Sequence, residues 1–557
     1  MSAAFGIDLG TTNSVISHLV DGRPVALPID GSPIVPSVAL YTDEGTIVGR
    51  QARNLELQMP ERCVHSVKRK MGTPYLYTLA GRELSPEQVS ADILAALKQG
   101  AEEATGGPVR DVVITVPAYF DDAQRRATLD AGERAGLHVL RLLNEPTSAS
   151  LVYDRLLPPE AESAAEPEIL LIYDLGGGTF DVSVLEVFQG VREVRATTGN
   201  THLGGDDFDE KLVQHFLDEL ARNQGVDPRQ DARAMARLRR LAEETKIRLS
   251  SEVSVNVREE FLTQAQGKPI HLELEVRRRT FESLIEPLLE STMLLARQAL
   301  QDARVEGQAL SRVCLVGGST RIPRVRQLLE KVFGVDIHEE VDPDLAVGLG
   351  AAIQAGLLTG EPVERILVDV TSHSLGMRVF GEADELRAEP DTFAPVIRRN
   401  TALPTVRVEE FYTMVPEQEL MAVEVFQGEA SRASENTRIG AFGFPLEPRP
   451  VNSPVRVEFS YDLNGVVKVS ISQPGTANAK TVALAVADVG KATQAQAAQG
   501  AVIRKGRALL ERLSPGPRAE LERLLDAHSA AEGAGRDRAE DALLDFFLEN
   551  EPQQPEP

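Results

Sequence analysis

The sequence predicts a protein in three parts: an α/β unit up to about residue 364, an all-β unit, and a short α-helical segment from about residue 489. Three observations predict it. Short apolar runs alternate with amphipathic segments as far as about residue 360, the pattern of an α/β fold. From about residue 365 the runs alternate with period two, as in "LMAVEVFQG" and "VRVEFSYDLNGVVKVSIS", and no long helix intervenes. Past that, "VGKATQAQAAQGAVIRKGRALLERL", "GPRAELERLLDAHSA" and "RAEDALLDFFLENE" read as short amphipathic helices before a Gln/Pro/Glu tail. At 557 residues the chain exceeds what one core can organise.

The first element, "FGIDLGTTNSVISHLV" at residues 5–20, reads as strand, turn and strand, and on local grounds is a tight hairpin. In "ELSPEQVSADILAALKQGAEEATGG", Ser85 is a predicted N-cap, Pro86 the first helical residue and Gln88 the partner in a capping box. Val89, Ile93 and Leu97 share one face, and Gly106-Gly107 end the helix. "DVVITVPAYF" then reads as a strand stopped near Pro117, "DDAQRRATLDAGERAG" as a helix and "HVLRLLNEP" as the next strand. An acidic, Pro-rich loop, "LLPPEAESAAEPE", precedes "ILLIYDLGGGTFDVSVLEV". This second opening repeats the first: Asp8 recurs as Asp174, each in strand, Asp-Leu-Gly, small turn, strand, which implies two related lobes. "LAVGLGAAIQAGLLTG" from Leu345 is interrupted by Gln354 and rich in Gly and Ala, so it reads as a buried helix and not a membrane span. Asn464-Gly465 marks a hairpin in the all-β unit.

Bulk properties narrow the function. A net charge of -25 disfavours a nucleic-acid partner held through phosphates. Two cysteines, Cys63 and Cys314, cannot build a disulfide framework, and with no secretory pattern the expected compartment is the cytoplasm. The sequence lacks G-x-x-x-x-G-K-[ST], H-E-x-x-H, G-x-S-x-G and any Cys/His cluster, which removes P-loop, zinc-protease and serine-hydrolase readings.

What remains is a set of Gly-rich turns. Backbone N–H groups approach a phosphate chain closely where glycine removes the Cβ. "DLGTTN" and "DLGGGTFD" each supply such a turn at a strand end, with Asp8 or Asp174 able to hold a hydrated metal and with Thr11, Thr12 and Thr179 adding hydroxyls. A third turn, "LVGGSTRIP", could seat a nucleoside between Gly317-Gly318 and Arg321.

These residues resemble the ATP-dependent heat-shock-70 chaperones of the DnaK type, within the actin/sugar-kinase superfamily. The resemblance runs through "GIDLGTTNS", "VITVPAYFDDAQRRAT", "LLNEPTSAS", "DLGGGTFDVSVLE", "THLGGDDFD", "LVGGSTRIP" and "NGVVKVS". "NTALPT" and "VFQGE" separate it from sugar kinases and actins, and "YTMVPEQ" with the brief segment between Gly72 and Ser90 looks most like the short HscC-type bacterial branch. It implies a two-lobed actin-like ATPase domain over 1–364, an interdomain linker at 365–372, a β-sandwich over 373–488, a lid-like helical segment at 489–549 and a tail at 550–557.

Carried over by position, the resemblance places Asp8, Glu145 and Asp174 around Mg2+ and the attacking water, with Asp8 and Asp174 facing the metal largely through water and phosphate. Thr11, Thr12 and Thr179 touch phosphate, Asp181 is a second carboxylate near the ions, and Lys68 of "SVKRKMG" is the catalytic lysine, although a lone Lys is ordinarily a surface residue. Gly10, Asn13, Gly176, Gly177, Gly204 and Gly205 complete the phosphate side. Glu243, Lys246 and Ser250, otherwise an ordinary solvated helix face, contact adenosine with Gly317, Gly318, Ser319, Arg321 and Asp344. ATP/ADP and Mg2+ are the implied cofactors, with K+ a further candidate.

In the β-domain the implied peptide lining is Met377, Phe380, Phe411, Met414, Met421, Val423 and Val455, with Phe380 and Met414 as arch residues; such a cluster can equally be core. Ile366–Val368 and Asp369 resemble the linker that docks in the ATP state, and otherwise read as a plain strand. Arg141 and Asp369 match positions that engage J-domain co-chaperones. Ser372-His373 replaces the usual Pro-Leu. The shortened lobe leaves a GrpE-type exchange factor an open partner, and the shortened helical segment leaves lid closure open. The implied function is slow ATP hydrolysis that switches affinity for extended apolar segments of unfolded proteins. A small-molecule kinase and an actin-type assembly protein share the ATPase fold, but neither explains the β-domain.

Overall fold

The computed structural model describes residues 4–153, 167–188, 191–305, 309–335, 337–338, 341–360, 366–383, 387–484, 517–518 and 521–525. The acidic loop, nearly all of the helical segment 489–549, the tail and the side chain of Phe380 lie outside the described residues.

Two sheets share one plan. The first contains β1 (Phe5–Asp8), β2 (Asn13–Val20), β3 (Arg23–Ala26), β4 (Val35–Pro36), β5 (Asp111–Val116) and β6 (His138–Asn144), with main order β6-β5-β1-β2-β3. The second contains β7 (Glu168–Leu175), β8 (Phe180–Phe188), β9 (Val191–Asn200), β10 (Arg312–Val316), β11 (Ile337–His338) and β12 (Ile366–Val368), in order β11-β10-β7-β8-β9-β12. In each, an antiparallel hairpin carries the repeated Asp, and its first strand pairs in parallel with a later strand: β1 with β5, β7 with β10. The internal repeat is thus a repeat of topology. The run Ile366–Val368 is a strand, and it extends the second sheet by pairing in parallel with β9.

Local signals act as read. Ser85 and Gln88 close a capping box on the helix Pro86–Thr105, and Gly106 ends it at φ +69. Val89, Ile93 and Leu97 are fully buried in the first lobe's core with Phe5, Ile7 and Ile114. The second lobe packs Tyr173, Phe180, Phe208, Phe216 and Phe281.

The apolar helix Ala346–Thr359 is buried between the lobes, against the helix Glu145–Tyr153 and β1. Its small residues permit this. A Cβ on Gly350 would strike the Ser148 carbonyl oxygen, and one on Gly348 would press on Val15. Ser148 Oγ donates to Val347 O at 2.7 Å, and Ser17 Oγ donates to Gly348 O. Among the described residues no helix is long and apolar enough to cross a membrane.

From residue 375 the chain forms a sandwich of two four-stranded sheets. Their inner faces meet in a core of Leu375, Val425, Phe444, Val457, Phe459 and Ile471. The predicted hairpin joins Pro454–Tyr461 to Val467–Ser472, with Gly465 at φ +72.

The sandwich is seated on both lobes. On the first, Val467 N–H donates to Asp122 Oδ1 at 3.2 Å, Arg126 donates to Val467 O at 3.0 Å, and Leu142 N–H donates to Asn464 Oδ1 at 3.0 Å. On the second, Thr197 N–H donates to Asn400 Oδ1 at 3.1 Å, and Arg399 pairs with Asp302 at 3.0 Å. Gly350→Ala should therefore destabilise the lobe–lobe contact by about 1–3 kcal/mol through overpacking, read as a lower thermal unfolding midpoint.

Candidate active site

The repeated turns sit face to face. Ser37 holds the first: its Oγ donates to Gly10 O at 2.8 Å and its N–H to Thr12 O at 2.8 Å. The second is closed by Gly176 N–H donating to Thr179 O at 3.1 Å. A Cβ on Gly177 would run into Thr12 Oγ1, and one on Gly178 into Thr11. Glycine is therefore what lets the two lobes' turns touch. The third turn closes the same space: Ser319 Oγ donates to Gly176 O at 2.9 Å, and a Cβ on Gly317 would meet Leu175 and Asp174.

One cleft gathers the phosphate-, metal- and nucleoside-side residues named from sequence, from Asp8 and Thr11 through Lys68, Glu145 and Asp174 to Glu243, Ser250, Arg321 and Asp344. Asp181, Gly204 and Gly205 stand just behind its lining. Asp181 is buried and accepts from Tyr119 N–H at 3.1 Å. Gly205 N–H donates to Gly176 O at 3.0 Å at the start of the helix Gly205–Gln224, where a Cβ on Gly204 would meet Gly177 at 2.7 Å.

The electrostatics are extreme. Glu145, Asp174 and Asp181 are buried, Asp8 is partly buried beside them, and Lys68 Nζ donates to Glu145. Burial, and then the charge of Glu145, pushes Asp8 and Asp181 up to about 7 against the pull of Lys68. The same causes hold Asp174 well above the usual carboxylate range. Thr115 Oγ1 donates to Asp8 at 3.0 Å. Asp174 Oδ2 and Thr12 Oγ1 are buried with no hydrogen-bond partner among the described residues. Orphaned acceptors amid crowded carboxylates fit a hydrated cation carried on a phosphate chain. Among the described residues no three acidic, His or Cys groups converge on one point as a ready-made metal site.

Sequence reading missed the residues that tie the lobes across the cleft. Arg53 pairs with Glu243 at the nucleoside side. Arg69 Nε donates to Gly178 O at 3.0 Å and its guanidinium pairs with Asp207. Within the second lobe, Lys246, already named from sequence, donates to Asp209 at 2.7 Å and to Gly205 O at 3.2 Å. No motif marks Arg53 or Arg69, because each partner lies far along the chain. Arg321 is held by Asp342 and Asp344 at 2.6 and 2.9 Å, so its guanidinium is positioned by carboxylates.

Two expectations change. Met377, Val423 and Val455 are 1%, 0% and 1% exposed and belong to the sandwich core, because their side of each strand faces the opposite sheet. Phe411 and Met421 pack partly buried against that core, while Met414 is exposed. Arg141 and Asp369 are buried in the seam beneath the docked sandwich and present little surface to a partner in this arrangement. Asp369 Oδ2 accepts from Asn144 Nδ2 at 3.0 Å, and burial pushes its carboxyl up.

For a carboxyl raised in the folded state, folding favours the protonated form. The burial penalty is therefore fullest above pH 7 and is relieved as pH falls through the folded value. Asp181→Asn should accordingly flatten the rise in thermal midpoint that the nucleotide-free protein shows from about pH 8 to about pH 6, measured by calorimetry at each pH.

The same span of chain matches known proteins. A family model described as "Hsp70 protein" matches residues 4–78 and 76–505. Proteins named "Chaperone protein DnaK" from Thermotoga petrophila and Thermotoga maritima are each 43% identical over 482 residues, covering 85% of this chain and 78% of theirs. That from Thermotoga neapolitana is also 43% identical, with the same coverage. The matched span takes in both lobes, the strand Ile366–Val368 and the sandwich together, and the chain belongs to the Hsp70 family.

Proposed function

We propose that this cleft carries out the ATP hydrolysis by which an Hsp70 chaperone switches its hold on unfolded protein, with the residues named above in the roles that follow. The observation that carries this reading is the pair of repeat turns meeting face to face over buried carboxylates, with the sandwich bound to both lobes that bear them.

The chemistry is phosphoryl transfer to water, in which positioning and electrostatics supply the rate. Backbone N–H groups of the Gly10–Asn13 and Gly176–Thr179 turns and the hydroxyls of Thr11, Thr12 and Thr179 hold phosphate oxygens. Lys68, tethered by Glu145, offers its ammonium to charge developing on the transferred phosphoryl. Asp174, with an oxygen left without a partner, accepts a hydrogen bond from the attacking water and orients it. Mg2+, when bound, neutralises phosphate charge, with Asp8 and Asp174 as the carboxylates nearest to hold its water shell. K+ is a further ion for the same acidic floor.

Because the sandwich grips both lobes, any relative motion of the lobes loosens one side of its seat. Nucleotide that draws the two turns together favours the docked arrangement, and its hydrolysis and loss of γ-phosphate favour release. The free sandwich would then hold extended apolar peptide through main-chain hydrogen bonds and an apolar pocket near Phe411, Met414 and Met421. A J-domain co-chaperone would engage Arg141 and Asp369 only when the seam opens. The brief segment between Gly72 and Ser90 and the string "YTMVPEQ" support an HscC-type branch, and a cytoplasmic setting suits a chain whose two cysteines cannot build a disulfide framework.

The test is release of a labelled apolar peptide. ATP should accelerate release from the wild type and do so several-fold less in Thr179→Ala, which loses a phosphate-side hydroxyl. Peptide that never binds, or that leaves equally fast without nucleotide, contradicts the reading.

A further inference from the structure

His373 is a titratable group in the seam that neither the cleft nor the peptide site uses. It stands two residues before the sandwich's first strand, Leu375–Ala383. Its ring lies against Tyr119 of the first lobe, with ring centroids 4.0 Å apart. Nε2 is 3.1 Å from Tyr119 O, an acceptor, so this nitrogen carries the proton and donates. Tyr119 in turn donates its N–H to Asp181, so the same residue touches both the seam and the acidic floor of the cleft.

We propose that His373 is a proton-sensitive latch between the two domains: neutral, it seats the sandwich on the Tyr119 turn, and protonation weakens that seat.

The charged groups facing the ring come from both sides. Tyr119, Asp121 and Arg125 approach from the lobe. From the sandwich side comes Glu429, which is engaged by Ser374 N–H at 2.7 Å and by Ser374 Oγ at 2.9 Å, with Arg399 3.9 Å from it. Asp121, Glu429 and the bond to Tyr119 O favour the imidazolium, whereas burial and Arg125 disfavour it; burial is the largest effect, and His373 is held below the ordinary histidine value. Undocked, the ring meets water and regains that value. The docked state therefore binds fewer protons, and docking is strongest above the undocked value and weakens as pH falls through it.

The inference rests on the docked arrangement and on ATP occupying the cleft, so ATP binding is measured separately at each pH. Docking is read in the full-length, ATP-bound protein as energy transfer between one dye on the first lobe and one on the sandwich. The docking constant of the wild type should fall by up to about tenfold between about pH 7.5 and about pH 5.5. His373→Gln, which keeps an N–H donor without titrating, and His373→Leu should both stay docked and show no such fall. A wild type with a flat response, a variant that keeps the fall, or two variants already undocked at the higher pH would overturn the proposal. Loss of ATP binding at either pH would instead count against the nucleotide reading.

Discussion

Glu145, Asp174 and Asp181 are packed out of water where the two lobes meet, with Asp8 half-buried at their edge and Lys68 tied to Glu145 beside them. Such a cluster is unfavourable when left alone, since each carboxylate loses hydration and repels the next. Here the penalty is expressed as carboxyls that hold their protons near neutrality. The fold tolerates the cluster because large apolar cores flank it on either side, in Phe5, Ile7 and Ile114 of one lobe and Tyr173, Phe180 and Phe208 of the other. A cation and a phosphate chain would relieve it, so affinity for both is built into the folded chain.

The repeat explains how one short hairpin became a two-sided grip. Each lobe offers the same strand order, and each places an Asp and a small turn at the end of the same hairpin. Glycine lets the turns touch, and the small residues of the helix Ala346–Thr359 let the lobes approach behind them. The strand Ile366–Val368 then adds to the edge of the second sheet, and the sandwich rests on both lobes. The lobe contact, the edge pairing of Ile366–Val368 and the seat of the sandwich are thereby structurally contiguous. Asp181, Tyr119 and His373 form one hydrogen-bonded route from the acidic floor of the cleft to the seam.

Much of this was legible in sequence, for a physical reason: phosphate-holding turns need particular small residues at particular spacings, and capping boxes are local. Ser85, Gly106, the Asp8 and Asp174 turns and the Asn464-Gly465 hairpin were all readable that way. Contacts between distant segments were not. Arg53 with Glu243, Arg69 with Gly178, and Asp122 with Val467 depend on tertiary placement and leave no periodic trace. Strand alternation separates two faces but does not say which one meets the opposite sheet. Met377, Val423 and Val455 accordingly fell in the core and not on a binding surface.

On the proposed function, occupancy of the cleft controls whether the strand Ile366–Val368 and the sandwich stay docked. Hydrogen exchange at the amides of Ile366–Val368 in the full-length protein, compared between ATP and ADP, tests it most directly. Strong protection with ATP that collapses with ADP is the predicted result. Equal protection in both states would contradict the account.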